Sequence, residues 1–262
     1  MIRLQFDRVT KSFAPQRRGG EGVTAIADVD VRVEDGEVVA LIGPSGCGKS
    51  TLLNLASGLD RPTRGRVFVD GAEVTGPNSH VAFMLQRDLL LPWRSILDNV
   101  TFGQEIQHVE KARRREVARK LLDKYHLGEF VDHFPHQLSG GMRQRAALAR
   151  TMAMDPDVVL MDEPFSALDA QTKMVLQQDL ARTLFEEKKT AFLITHDLVE
   201  AIALADRILV MSRRPGRIVR EIRVDLPDRD NPMVRRQRNE MGSLIAELMS
   251  LLDIGHGDHL DG

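Results

Sequence analysis

Nine consecutive residues constrain this chain more than any other stretch: Gly43-Pro44-Ser45-Gly46-Cys47-Gly48-Lys49-Ser50-Thr51. Their pattern matches the phosphate-binding loop. The apolar run Val38 to Ile42 precedes it and the apolar run Leu52 to Leu59 follows. A strand, a glycine-rich turn and a helix in that order is the context that gives this motif its meaning. Glycines let the backbone N–H groups curl around phosphate oxygens, and the helix N-terminus adds a positive field. In such a loop Lys49 would reach the β- and γ-phosphates and the Ser50 hydroxyl would ligate Mg²⁺. Cys47 reads as a spacer without a catalytic role. At a helix N-terminus beside Lys49 its thiol pKa is expected to fall.

A loop of this kind needs a parallel sheet behind it. Val158 to Met161 and Ala191 to Ile194 are short apolar runs bounded by polar residues, like Val38 to Ile42, and read as buried parallel strands. The first runs into Asp162 and Glu163. Ending beside the phosphate loop, it would let Asp162 hold Mg²⁺ through water and Glu163 accept a proton from an attacking water. The residues alone therefore point to an ATPase or a GTPase.

Elsewhere the pattern changes. Ile2, Leu4 and Phe6 alternate with polar residues, Thr24 to Val33 alternates weakly, and Arg66 to Asp70 ends in the turn dipeptide Asp70-Gly71. These pieces predict a small antiparallel layer, with the loop Ala14 to Gly22 between the first two. From about 89 to 154 the composition is helical, which predicts a helical insertion into an α/β core. Met241, Leu244, Ile245, Leu248, Leu251 and Leu252 recur at helical spacing and predict an amphipathic helix packed on the core, followed by a glycine-rich tail, Gly255 to Gly262.

Composition removes several classes of function. Lys plus Arg total 36 and Asp plus Glu 38, a net charge of −2, which gives no reason to expect a nucleic-acid partner. The basic run Lys111 to Arg115 reads as a solvated helix face. The longest stretch without a charged side chain, Val74 to Gln86, is interrupted by Thr, Asn, Ser and His. It falls short of the about 20 apolar residues of a membrane span. The start has no apolar leader, and the single cysteine allows no intrachain disulfide, so a cytoplasmic protein is expected. His256 and His259 on the tail make a poor metal site.

Leu138-Ser139-Gly140-Gly141-Met142-Arg143-Gln144 narrows the reading. Two glycines opening a helix make a second anion-binding terminus. The stretch resembles the signature sequence of ATP-binding-cassette (ABC) ATPases, and the other motifs occur in that family's order. Gln86 resembles the Q-loop glutamine, Ser166 to Asp169 the D-loop, and His196 the switch histidine. Phe13 stands where the family has an aromatic that stacks on adenine. The resemblance runs from about residue 2 to 225. It implies a P-loop α/β core with a parallel sheet, an N-terminal antiparallel β layer and an inserted helical subdomain. Residues 1–225 would form the nucleotide-binding domain, and 226–262 a C-terminal helix and tail.

The resemblance also implies ATP and Mg²⁺ as cofactors, with Ser50, Gln86 and Asp162 at the metal. It implies a head-to-tail dimer in which Ser139, Gly140, Gly141 and Asp169 of one copy complete the ATP site of the other. Lys49, Glu163 and His196 would carry the chemistry. Leu90 to Arg94 followed by Leu97 to Val100, together with Phe165 to Thr172, is similar to importers of nitrate, sulfonates and taurine. Such a subunit docks on a transmembrane permease at the inner face of the membrane. A periplasmic or lipoprotein solute-binding protein acts with it indirectly. The competing reading is a soluble ABC ATPase outside transport, of the iron–sulfur assembly type. The Leu90 to Val100 segment, which resembles a permease-docking region, argues against it.

Overall fold

Strands β1 (Ile2–Phe13) and β2 (Val23–Glu34) pair antiparallel in the computed structural model, which describes residues 1–15, 22–166 and 168–252. The chain continues through β3 (Val38–Ile42), α1 (Lys49–Ala56), β4 (Arg64–Val69), β5 (Ala72–Glu73) and β6 (Val81–Met84). Next come α2 (Ile96–Val100), α3 (Phe102–Ile106), α4 (Lys111–Lys124), α5 (Gly140–Met152), β7 (Val158–Asp162) and α6 (Ala170–Glu186). It closes with β8 (Thr190–Ile194), α7 (Leu198–Leu204), β9 (Arg207–Met211), β10 (Ile218–Arg223), α8 (Pro232–Arg235) and α9 (Glu240–Leu251).

Two sheets result. The antiparallel sheet has the order β2-β1-β4-β5, and Asp70 and Gly71 turn β4 into β5 with φ of 51° and 76°. Positive φ at both central residues is what a type I′ hairpin turn demands. The second sheet has the order β10-β9-β3-β8-β7-β6, parallel from β9 to β6 with β10 antiparallel at its edge. It is wider than the three strands that the sequence predicts. The additional strands β6 and β9 lie alongside β7 and β3, and β10 pairs β9.

Side chains alternate across a strand, so β3 feeds two cores. Val39 and Leu41 join Leu160, Phe192, Leu52 and the inner residues Leu4, Phe6, Val31 and Val67 of the antiparallel sheet. Val38, Ala40 and Ile42 point the other way, into a core built with Leu97, Val100, Leu122, Leu148, Leu180 and Ile202. Both faces are covered, which is why β3 and β8 are buried along their whole length. The Phe6 and Phe192 rings, 5.8 Å apart, tie the two sheets together.

The first helix begins three residues earlier than the apolar run suggests, at Lys49, and ends at Ala56 rather than Leu59. Gly58, with φ of 75°, stops it, and Leu59 is left exposed. In α4 the basic run is a largely solvated face, and Glu110 stands just before the helix. Its carboxylate caps it, accepting from the Ala112 and Arg113 N–H groups at 2.9 and 3.0 Å. In α9, Met241 and Leu248 are buried while Leu251 turns outward. The C-terminal segment is also pinned by Arg235. This fully buried side chain donates to the carbonyls of Ala205, Val224 and Leu226 at 2.9–3.1 Å. Most of the Ala14 to Gly22 loop, together with Ala167, His256, His259 and the tail, lies outside the described residues.

Candidate functional site

The buried strand β3 ends at Ile42, and the chain must then turn sharply before α1 starts. Gly46 and Gly48 take φ of 73° and 108°, the left-handed region that L side chains avoid. A Cβ on Gly48 would overlap Ile26 Cγ2, and one on Gly43 would stand 2.9 Å from the Met211 carbonyl. Gly48→Ala is therefore expected to weaken nucleotide binding about 5- to 150-fold, if the about 1–3 kcal/mol of overpacking falls on the nucleotide-binding conformation of the loop. A fluorescent-nucleotide titration alongside a thermal melt checks this.

The Lys49 ammonium is held across the loop, donating to the Gly43 and Pro44 carbonyls at 2.8 and 3.0 Å. Cys47 corrects an expectation. It is buried, and that burial pushes its thiol pKa up, outweighing the pull of Lys49 and the backbone N–H groups. An inert spacer is what such a thiol can be.

The parallel strands β6, β7 and β8 deliver Gln86, Asp162, Glu163 and His196 to the same edge, because their C-terminal ends lie side by side. Asp162 ends β7, and the nearby Ser50 hydroxyl favours its charged form. Burial nevertheless holds the Asp162 carboxyl above the usual carboxylate range, and the neighbouring Glu163 adds to the rise. A half-buried carboxylate beside a hydroxyl is a hard-oxygen donor set of the kind that Mg²⁺ takes. Glu163 follows with φ of 47°, an uncommon conformation for a side chain of its kind. Its backbone N–H donates to the Ile194 carbonyl of β8 at 3.0 Å. Glu163 Oε2 accepts from Gln86 Nε2 at 3.3 Å and lies 3.2 Å from His196 Nδ1. Gln86 also donates to the Ser166 hydroxyl at 3.2 Å. The side-chain hydrogen bonds of Gln86 thus run to Glu163 and Ser166, not to Ser50 or Asp162.

A cleft of about 700 Å³ opens over this edge, in the size range of small-ligand sites. Phe13, Ala14, Pro15, Val23 and Ala25 form one part of its lining, and Ser45, Gly46, Gly48 to Thr51 and Glu163 another. The Phe13 ring is half-exposed at the end of β1, with the Lys11 ammonium 5.1 Å from its centroid. An aromatic face at one place and a phosphate loop at another suit a nucleotide. Arg214 also lines the cleft. Sequence reasoning missed it, although the turn Arg213-Arg214-Pro215-Gly216 after the apolar run Ile208 to Met211 marks a sheet edge.

Ser139, Gly140, Gly141 and Asp169 do not line this cleft. Ser139 caps α5, accepting from the Met142 N–H at 3.3 Å, and Asp169 caps α6, accepting from the Thr172 N–H at 3.0 Å. A Cβ on Gly141 would overlap Thr172 Cγ2, so a glycine lets these two helix starts meet. The chain therefore carries two separate surfaces that each suit an anion.

A third surface lies beside Gln86. Trp93 is 72% exposed and Leu89 is 53% exposed. Their backbone is fixed from below by the buried Asn99 amide. It accepts from the Leu91 N–H at 2.7 Å and donates to the Leu91, Arg94 and Ser95 carbonyls at 3.0–3.2 Å. The indole is thus held out in water on a hydrogen-bonded turn.

The sequence profile of the ABC transporter family matches residues 26–166. An uncharacterised ABC transporter ATP-binding protein of Methanocaldococcus jannaschii is 46% identical over 86% of this chain and 83% of its own length. A taurine import ATP-binding protein of Burkholderia thailandensis is 45% identical, covering 87% of each chain. Among solved structures, a dimeric ATP-binding cassette in a post-hydrolysis state with ADP and Pi superposes with a TM-score of 0.74. It is 32% identical and covers 84% of this chain and 98% of that one.

Proposed function

The chain belongs to the ABC transporter family as an ATP-binding, ATP-hydrolysing cassette, and from that premise we propose that it powers import of a small solute through a separate permease. The solute is small and anionic, of the taurine, sulfonate or nitrate class. The taurine import relatives support this part of the reading. Residues 1–225 act as the nucleotide-binding domain and 226–262 as a C-terminal extension of it.

ATP stacks its adenine on Phe13, a contact of about 1–3 kcal/mol. Its phosphates lie in the loop Gly43 to Thr51, with Lys49 on the β- and γ-phosphates. Ser50 and Asp162, with Gln86 at the edge, would hold Mg²⁺, which supplies positive charge against the transferring phosphoryl group. Glu163 takes the proton of a water whose oxygen attacks the γ-phosphorus as the bond to the β-phosphate oxygen breaks. His196 holds the Glu163 carboxylate in place and faces the γ-phosphate.

One observation carries the dimeric form of this reading: Ser139, Gly140, Gly141 and Asp169 stand outside the cleft that holds the loop. A second copy, arranged head to tail, brings them to the γ-phosphate. ATP binding then closes the pair and hydrolysis releases it. Among the described residues no helix is long and apolar enough to cross a membrane. The subunit works from the cytoplasmic face, docked on permease subunits that receive solute from a periplasmic or lipoprotein binding protein.

The docking part rests on Trp93. An exposed aromatic on a rigid turn beside a catalytic-loop glutamine is the composition of an interface anchor. Trp93→Ala is expected to cost about 2 kcal/mol or more of permease binding with ATP affinity unchanged. The isolated subunit should melt as before, since a core tryptophan would cost about 3–5 kcal/mol and this one is solvent-facing. Pull-down with the permease and a thermal melt read both. Full permease binding by the variant would remove the docking role. Uptake of labelled taurine, sulfonate and nitrate in cells lacking the chain tests the import reading itself, and unchanged uptake of all three counts against the solute class.

A further inference from the structure

The cleft contains a cation that the motif residues leave unused. Arg214 stands on the turn after β9, and its Nε and Nη2 both donate to the Gly46 carbonyl, at 3.1 and 2.8 Å. The turn does not float. Gly216 donates to the Ala25 carbonyl at 2.9 Å and accepts from the Ala27 N–H at 3.0 Å, which fastens it to β2. Ser212 and Arg217 close it with two further hydrogen bonds, 2.9 and 3.0 Å long. A fixed backbone thus aims an exposed guanidinium at the fourth residue of the phosphate loop, in a cleft it shares with Ser45, Gly48, Lys49 and Thr51.

A guanidinium carries five N–H groups in one rigid plane, and the Gly46 contact uses two. The remaining donors match the fork geometry of phosphate oxygens, for which arginine is better shaped than lysine. Lys49 already lies across the loop on the Gly43 and Pro44 carbonyls. A second cation arriving from a different strand would neutralise polyphosphate charge that Lys49 alone leaves. We propose that Arg214 is a phosphate-contacting residue of the nucleotide site, donating to the phosphate chain of bound ATP or ADP. This rests on the reading of the cleft as the ATP site.

The test uses the full chain with ADP as the probe, titrated at several salt concentrations, for Arg214→Ala, Arg214→Gln and Arg214→Lys. Loss of a charge-assisted phosphate contact should weaken ADP binding about tenfold in the Ala and Gln variants. It should also flatten the salt dependence of both. Lys keeps the charge without the fork, and should stay within about threefold of the parent. If Gln restores what Ala loses, Arg214 only supports the Gly46 carbonyl and the inference fails. Three variants that bind like the parent overturn it too. A parent chain that binds neither ADP nor ATP would instead bring down the ATP-site reading beneath it.

Discussion

Glu163→Gln should bind ATP and hydrolyse it about 10²–10⁴ times more slowly than the parent. The substitution keeps length and shape, and its remaining carbonyl oxygen can still accept from Gln86. What it loses is the ability to take a proton. Glu163 sits where that loss is felt, with Gln86 Nε2 at 3.3 Å and His196 Nδ1 at 3.2 Å around one carboxylate oxygen. With hydrolysis blocked, the closed pair should persist, so the variant should run as an ATP-bound dimer in size-exclusion chromatography. Parent-like turnover would show that Glu163 is not the base. Slow turnover without a dimer would leave the base assigned and sink the head-to-tail arrangement.

Lys49→Ala should lower turnover by about 10²–10³, measured as phosphate release with the permease present. The ammonium is the loop's own positive charge, held by two carbonyl contacts, and on the proposed reading phosphoryl charge develops beside it. Alanine is a good residue for the first position of α1, so the melting temperature should not fall with the activity. Near-normal turnover would contradict the assignment of Gly43 to Thr51 as the phosphate cradle. A comparable fall in both activity and melting temperature would mean that Lys49 serves the fold instead.

Much of the architecture could be read before any coordinates because its causes are local. The loop needs left-handed glycines at fixed spacing, the Asp70-Gly71 turn needs two positive φ angles, and alternation in β1 and β2 marks a sheet with one buried face. The parallel strands β3, β7 and β8 are legible for the converse reason, since burial on both faces makes them uniformly apolar. The strands β6, β9 and β10 were less legible. Arg207, Arg220 and Arg223 dilute the apolar signal at the sheet edge, and β6 is only four residues long.

By itself, the sequence determined the phosphate loop, the strand-end carboxylates Asp162 and Glu163, and the order of motifs that carries the family resemblance. Each of these is a pattern within a dozen residues or so. Only the tertiary structure decided what those patterns meet. Gln86, Glu163 and His196 come together because β6, β7 and β8 end side by side, whatever their separation in the chain. Arg214 reaches Gly46 because β9 pairs β3, and no local signal encodes that pairing. Cys47 is held inert by burial, which overrides the local field of the helix terminus. Trp93 faces water although the sequence admits a packed tryptophan equally well, because a side chain's exposure depends on what packs around it rather than on its neighbours in sequence.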